Sequence, residues 1–241
     1  MCSSDLSTVL QPQFEQASLG YTATVAGLSL SAGGVLLIIL MPMAGQALTR
    51  VPARNLILFG FVVYALGYFY TATHLNLGLS FGANSWLRVI QVVAIPFVFI
   101  SVTTAGYFGM PSEKSNQISG LINFVRNIGG SILISLTGAA ITERGQFHAN
   151  QLLKYVVPSS LPFQTQLRSL QNYLSGSFGP ANAHYLAQAQ IYNRLQGQAD
   201  LLAYVDVYFF LCALSLLMIP LSLLLRRNDP KESAKNKVAV H

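Results

Sequence analysis

Arg126 is the one full charge in residues 116–142, NQISGLINFVRNIGGSILISLTGAAIT, an otherwise mostly apolar run. About 25 helical residues rise roughly 37 Å, enough to cross a bilayer. At 100° per residue, Ser119, Asn123, Arg126, Gly130 and Thr137 fall on one narrow face. A cation on such a face can bind an anionic substrate, pair with an acid, or shift between conformations of a transport cycle. It can also simply donate to carbonyls of a neighbouring helix or snorkel toward an interface. Arg88 and Gln91, one turn apart in WLRVIQ, are either a polar pair lining a cavity or an interfacial anchor beside Trp86. Asp206, in LLAYVDVYFF, is a carboxyl that can take up a proton, or a charge favoured by the N-terminal end of its helix. Residues 45–54, GQALTRVPAR, read as a short basic turn.

Helices of membrane-spanning length must position these groups. The 241 residues are 52% hydrophobic and only 9% charged, against about 25% charged in ordinary soluble domains. Five spans are expected, at 23–48, 56–73, 86–109, 118–142 and 201–225, each of a length that crosses a bilayer. Residues 1–22 are mixed and polar, a non-spanning lead-in without a signal-peptide apolar core. The domain order is then four transmembrane helices over 23–142, a polar helical loop over 143–200, a last span over 201–225 and a basic tail over 226–241. Pro42, Pro96 and Pro220 fall inside spans, where they mark kinks. Ser131, Ser135 and Ala139 recur every four residues, a stripe that allows close helix packing.

Arg50 and Arg54, Lys114, and the tail's Arg226, Arg227 and lysines fall on one side of such a five-span chain. That side is expected to be cytoplasmic, with the N-terminus outside, the C-terminus inside and the 143–200 loop outside. The formal net charge of +6 is spread over span ends rather than gathered into a basic face, which argues against nucleic acid. Cys2 and Cys212 offer neither a disulfide framework nor metal-ligand spacing. There is no P-loop, GxSxG or HExxH, so a hydrolase or nucleotide-binding enzyme has little support. His148 and His184 read as loop histidines without acidic neighbours.

The segments together resemble the C-terminal part of an EmrB/QacA-type drug:proton antiporter of the major facilitator superfamily. GYTATVAGLSL (20–30) resembles the entry to that family's tenth helix, and SGLINFVRNIGGS (119–131) its penultimate helix. GQALTRVPAR is similar to the superfamily's loop motif G-x-L-x-D-R-x-G-R-R. Gly45, Arg50 and Arg54 match, whereas Thr49 replaces the Asp and Pro52 the Gly. Arg88-x-x-Gln91 resembles its R-x-x-Q-G motif, with Val92 for Gly.

The resemblance implies an all-α membrane protein, five helices of a fourteen-helix transporter forming part of its C-terminal bundle. It implies export of hydrophobic or amphipathic compounds from the inner membrane, driven by the proton gradient with no cofactor. Arg126, Asn123, Arg88, Gln91 and Asp206 become candidates for the transport pathway, and Gly45, Arg50 and Arg54 for a cytoplasmic gate. The implied partners are the lipid bilayer, a missing N-terminal half, and a periplasmic adaptor with an outer-membrane channel. Residues 1–6, MCSSDL, do not resemble the family's preceding helix, so a truncated gene or a joined foreign start is expected. The rival readings are a small membrane subunit docking on another transporter half, and an uptake permease of the same superfamily.

Overall fold

Thr22 opens the first long apolar helix by accepting a hydrogen bond from the Val25 N–H at 3.4 Å, satisfying one of the donors that a helix start leaves free. In the computed structural model, which describes residues 2–107, 115–156 and 159–224, every regular element is a helix. They are α1 (Cys2–Ala17), α2 (Ala23–Arg50), α3 (Ala53–His74), α4 (Phe81–Val92), α5 (Ala94–Tyr107), α6 (Ser115–Leu153), α7 (Leu161–Phe178) and α8 (Pro180–Leu223). Five helical stretches are long and apolar enough to cross a membrane, with α4 and α5 counting as one. The all-α class with five such helices is therefore as the sequence indicates.

α3 is the central helix. It packs on α8 and α5, and buries Ile57, Tyr64 and Tyr68. Gly60 makes the α3–α5 approach possible: a Cβ there would collide with the Val98 side chain and lie 3.3 Å from the Val98 N. α4 and α5 are one span broken at Val93. Pro96 has no N–H to give the Val92 carbonyl, and its ring crowds that carbonyl, so the helix restarts at Ala94.

Three local readings change. Residues 45–50 are not a loop but the last turns of α2, and the α2–α3 connection is only Val51 and Pro52. α6 and α8 run on through the polar region. Their 39 and 44 residues make them roughly 58 and 66 Å long, about twice a bilayer's hydrocarbon thickness. α7 lies back along the first part of α8, buried at Leu167, Ala183 and Ala187. Finally, the small-residue stripe Ser131, Ser135 and Ala139 is exposed, and α6 instead turns Gly130, Leu133, Thr137 and Ala140 inward. Lys114, Arg226, Arg227 and the tail lie outside the described residues.

α1 joins the core. Leu6, Leu10 and Phe14 recur every four residues and are fully buried, and the Phe14 ring meets Tyr204 of α8 edge-on at 5.1 Å. Ser7, Gln11 and Glu15 follow each of them by one position, so a polar stripe enters the core beside the apolar one.

Candidate functional site

α4 brings the polar groups inward. Ser80 caps it, accepting from the Ala83 N–H at 3.4 Å. Asn84, Arg88 and Gln91 then follow at helical spacing, all buried. Arg88 lies roughly 10 Å along the helix from its start and is 4% exposed, so it is no interfacial anchor; Trp86, 59% exposed, faces outward. Arg88 Nη1 donates to Ser7 Oγ at 3.1 Å and Nη2 to Thr8 Oγ1 at 2.8 Å. Its Nε has no partner. Two neutral hydroxyls hold the fork in place without cancelling its charge.

Gln91 turns the other way. Its Nε2 donates to Thr71 Oγ1 on α3 at 2.8 Å. Asn84 meets Glu15 of α1. Glu15 is 0% exposed, and its Oε1 accepts from Asn84 Nδ2 at 2.5 Å and from Ser29 Oγ of α2 at 2.9 Å. Asn84 Nδ2 also reaches Ser29 Oγ at 3.2 Å, and Gln11 Nε2 donates to the Asn84 carbonyl at 3.1 Å. Glu15 Oε2 has no partner. α1, α2 and α4 are thus tied by a buried polar network, where each bond is strong and each gap costly.

Arg126 sits on α6 with its guanidinium 4.9 Å from the Phe99 ring centroid of α5, a cation–π arrangement. It shares a cavity of about 360 Å³ with Arg88, walled by Thr8, Met41, Val92 and Phe99 among others. Gly33 lets α2 close on this region: a Cβ there would lie 2.8 Å from Val92 Cγ2 and 3.2 Å from Arg88 Cγ. Two guanidinium groups on an apolar wall can hold the polar end of an amphipathic molecule while the wall takes the rest. Asn123, at the edge of the same α6 face, is exposed and does not line this cavity.

Asp206 lies elsewhere. It is 26 residues beyond Pro180, deep inside α8, so no helix N-terminus is there to favour it. Its Oδ2 meets His148 Nε2 at 2.8 Å and Arg144 Nε at 3.8 Å. Arg144 and His148 are one turn apart on α6, so that face clasps α8 through Asp206. A cavity of about 300 Å³ opens beside it, lined by Thr137, Ala140 and Phe210 among others. His148 therefore does have an acidic neighbour. His184, on α8, is hydrogen-bonded by Gln171 of α7. Gly45 and Arg50 stand at the end of α2 and Arg54 in the first turn of α3; among the described residues no acid pairs with either arginine.

Glu15, Asn84 and Ser29 went unread in the sequence. The available signal was the doubled four-residue spacing in α1, Leu6-Leu10-Phe14 beside Ser7-Gln11-Glu15. Among the described residues no group of histidines, cysteines and acids is placed to hold a metal ion.

Long apolar helices that bury an arginine, an acid and amides at their contacts fit a polytopic all-α membrane protein. No family model matches the chain. Over 168 residues it is 35% identical to the Multidrug export protein EmrB of Escherichia coli (strain K12), an alignment covering 70% of this chain and 32% of that protein. It is 30% identical over 182 residues to the Multidrug export protein EmrB of Haemophilus influenzae, covering 76% and 35%. It is 26% identical over 193 residues to the MFS-type transporter YhcA of Bacillus subtilis, covering 80% and 36%. The chain is a homologue of the EmrB-type multidrug transporters of the major facilitator superfamily, and spans about a third of the length of the relatives it matches.

Proposed function

We propose that these helices are part of a multidrug efflux permease that exports hydrophobic or amphipathic compounds by proton antiport across the inner membrane. The homology to the EmrB proteins carries this reading. The cavity shared by Arg88 and Arg126 supports it, because it offers a drug-sized, mostly apolar wall that includes two arginines. In this reading α2 to α6 and α8 form one side of an alternating-access path, and the remaining helices of a two-bundle transporter supply the other. Arg88, Gln91, Arg126 and Asn123 belong to the pathway, with Asp206 at its α6–α8 rim. Gly45, Arg50 and Arg54 sit at a cytoplasmic gate. The N-terminus is outside and the C-terminus cytoplasmic, which puts the α7–α8 hairpin outside, where an adaptor protein and an outer-membrane channel would dock.

The test is accumulation of a fluorescent lipophilic dye in cells expressing the gene with all in-frame upstream sequence. Expression should lower accumulation, and a protonophore should restore it. Arg126→Ala should weaken efflux while membrane levels stay unchanged. Raised accumulation on expression would instead indicate an uptake permease and refute export.

A further inference from the structure

Glu15 is an acid with a split environment. One carboxyl oxygen takes two hydrogen bonds, from Ser29 and Asn84, and the other takes none. The side chain is fully buried. A carboxylate with a bare oxygen in apolar packing is costly, whereas a carboxylic acid carrying its proton on that oxygen is much less so. Arg88 lies one turn along α4 from Asn84, and its charge is electrostatically coupled to Glu15. Among the described residues no ion pair joins the two. A buried acid and a buried base thus stand in one core, each held by neutral groups rather than by the other.

Their placement ties both to the same moving parts. α1 supplies Glu15 and also the two hydroxyls that hold Arg88, from Ser7 and Thr8. Pro12 lies between them and leaves the Thr8 carbonyl without its usual helical N–H. A shift of α1 against α4 would therefore release Arg88 and expose Oε2 together. Ser18, one turn past Glu15, and Ser85, next to Asn84, bury hydroxyls without partners. Both are places where a water could be held and a proton relayed.

We propose that Glu15 is a proton-exchange site of this bundle, with Asn84 and Ser29 as positioning residues and Arg88 as the charge that stabilises the anion. In the step, the O–H bond on Oε2 breaks, its electron pair stays on the carboxylate, and the proton leaves to water. The ionisable groups electrostatically coupled to it are Arg88 of α4 and Tyr208 of α8, and α6, which also packs on α1, brings Arg126 to the cavity that Thr8 and Arg88 line. α2 brings only the hydroxyl of Ser29 to the carboxyl. The site deepens the antiport reading and rests on it for its purpose: it would be a proton carrier within the chain's own helices.

The experiment is an infrared difference spectrum of the full chain in lipid nanodiscs, acid against alkaline pH. A carbonyl band of a protonated, buried carboxylic acid should bleach on alkalinisation. It should shift when glutamate is isotope-labelled, persist in Asp206→Asn, and vanish in Glu15→Gln, which keeps the side-chain volume and can still accept from Asn84 and Ser29. A band unmoved by the glutamate label, or unchanged in Glu15→Gln, overturns the proposal. The label confines the band to the chain's four glutamates, of which Glu143 is exposed; Glu15→Gln, or Glu15→Asp with a band that no longer follows the glutamate label, assigns it to Glu15 even if one variant does not fold. The readout also needs no transport, so a failed efflux assay would refute antiport and leave this outcome as it is.

Discussion

Asn84→Ala removes the centre of the α1–α2–α4 network. Its amide gives one hydrogen to Glu15 Oε1 at 2.5 Å and reaches Ser29 Oγ at 3.2 Å. The Gln11 bond to the Asn84 backbone carbonyl survives, because the substitution leaves that carbonyl in place. Three buried bonds go, because Gln11 Nε2 also donates to Asn84 Oδ1 at a long 3.5 Å; they are worth about 0.5–1.5 kcal/mol each, and Glu15 loses one of its two donors, a penalty of about 1–3 kcal/mol. Because these figures overlap, the working expectation is about 2–4 kcal/mol. For a chain of this size that lowers the unfolding midpoint by roughly 5–15 °C. The loss should depend on Glu15. In a Glu15→Ala background the Asn84 side chain keeps only its longer contacts with Ser29 and Gln11, and Asn84→Ala should cost about 1 kcal/mol or less, a coupling of about 1–3 kcal/mol. The assay is thermal unfolding of the four proteins in one lipid composition, followed by helical circular dichroism. Additivity within about 0.5 kcal/mol would refute the network, since uncoupled sites add to that tolerance.

Gly60→Ala should cost about 1–3 kcal/mol, because Val98 is buried and cannot yield to the new Cβ. Gly120→Ala, where a Cβ meets nothing within 4 Å, should be neutral or gain up to about 1 kcal/mol; a reversal of that order in thermal unfolding would contradict the packing. Gly179 joins α7 to α8 at φ 77° and ψ 157°, a backbone region open to glycine alone, so Gly179→Ala should cost about 1–3 kcal/mol. Faster hydrogen exchange in the α7–α8 turn is the expected sign, and unchanged exchange would contradict it. Asp206→Asn should loosen α6 from α8 by about 1 kcal/mol or less, since Asp206 and Arg144 are half exposed. The difference from wild type should shrink in high salt, and a salt-independent loss would mean that the clasp is not electrostatic.

The sequence was most legible where a local rule decides the outcome. Length and apolarity identified the five long helices, and Pro96 already marked the break between α4 and α5. Local rules misled where a partner decides. Asp206 looked like a helix-end charge because hydropathy ends the span near it. Helix α8 in fact continues, since from Pro180 to Pro220 nothing stops it, and the partner of Asp206 lies 58 residues away on α6. Glu15 was hidden for the same reason: its main donor is 69 residues distant, and a segment with this many polar residues scores as a lead-in by hydropathy. The Ser131–Ala139 stripe shows the converse. Its spacing suits close packing, yet among the described residues it stays uncovered while Gly130, Leu133 and Thr137 make the contact.

Those residues also separate what holds the bundle together from what it can do. Leu10, Ile57 and Leu211 fill the core by apolar packing, which is non-directional and prescribes no one conformation of α1. Glu15, Asn84 and Arg88 do need one, because each depends on a residue of another helix for its hydrogen bonds. An apolar core of the same volume would be at least as stable. A buried acid and base held apart by hydroxyls and an amide therefore serve stability poorly. They make sense if α1 and α4 have a second arrangement in which the charges are satisfied differently.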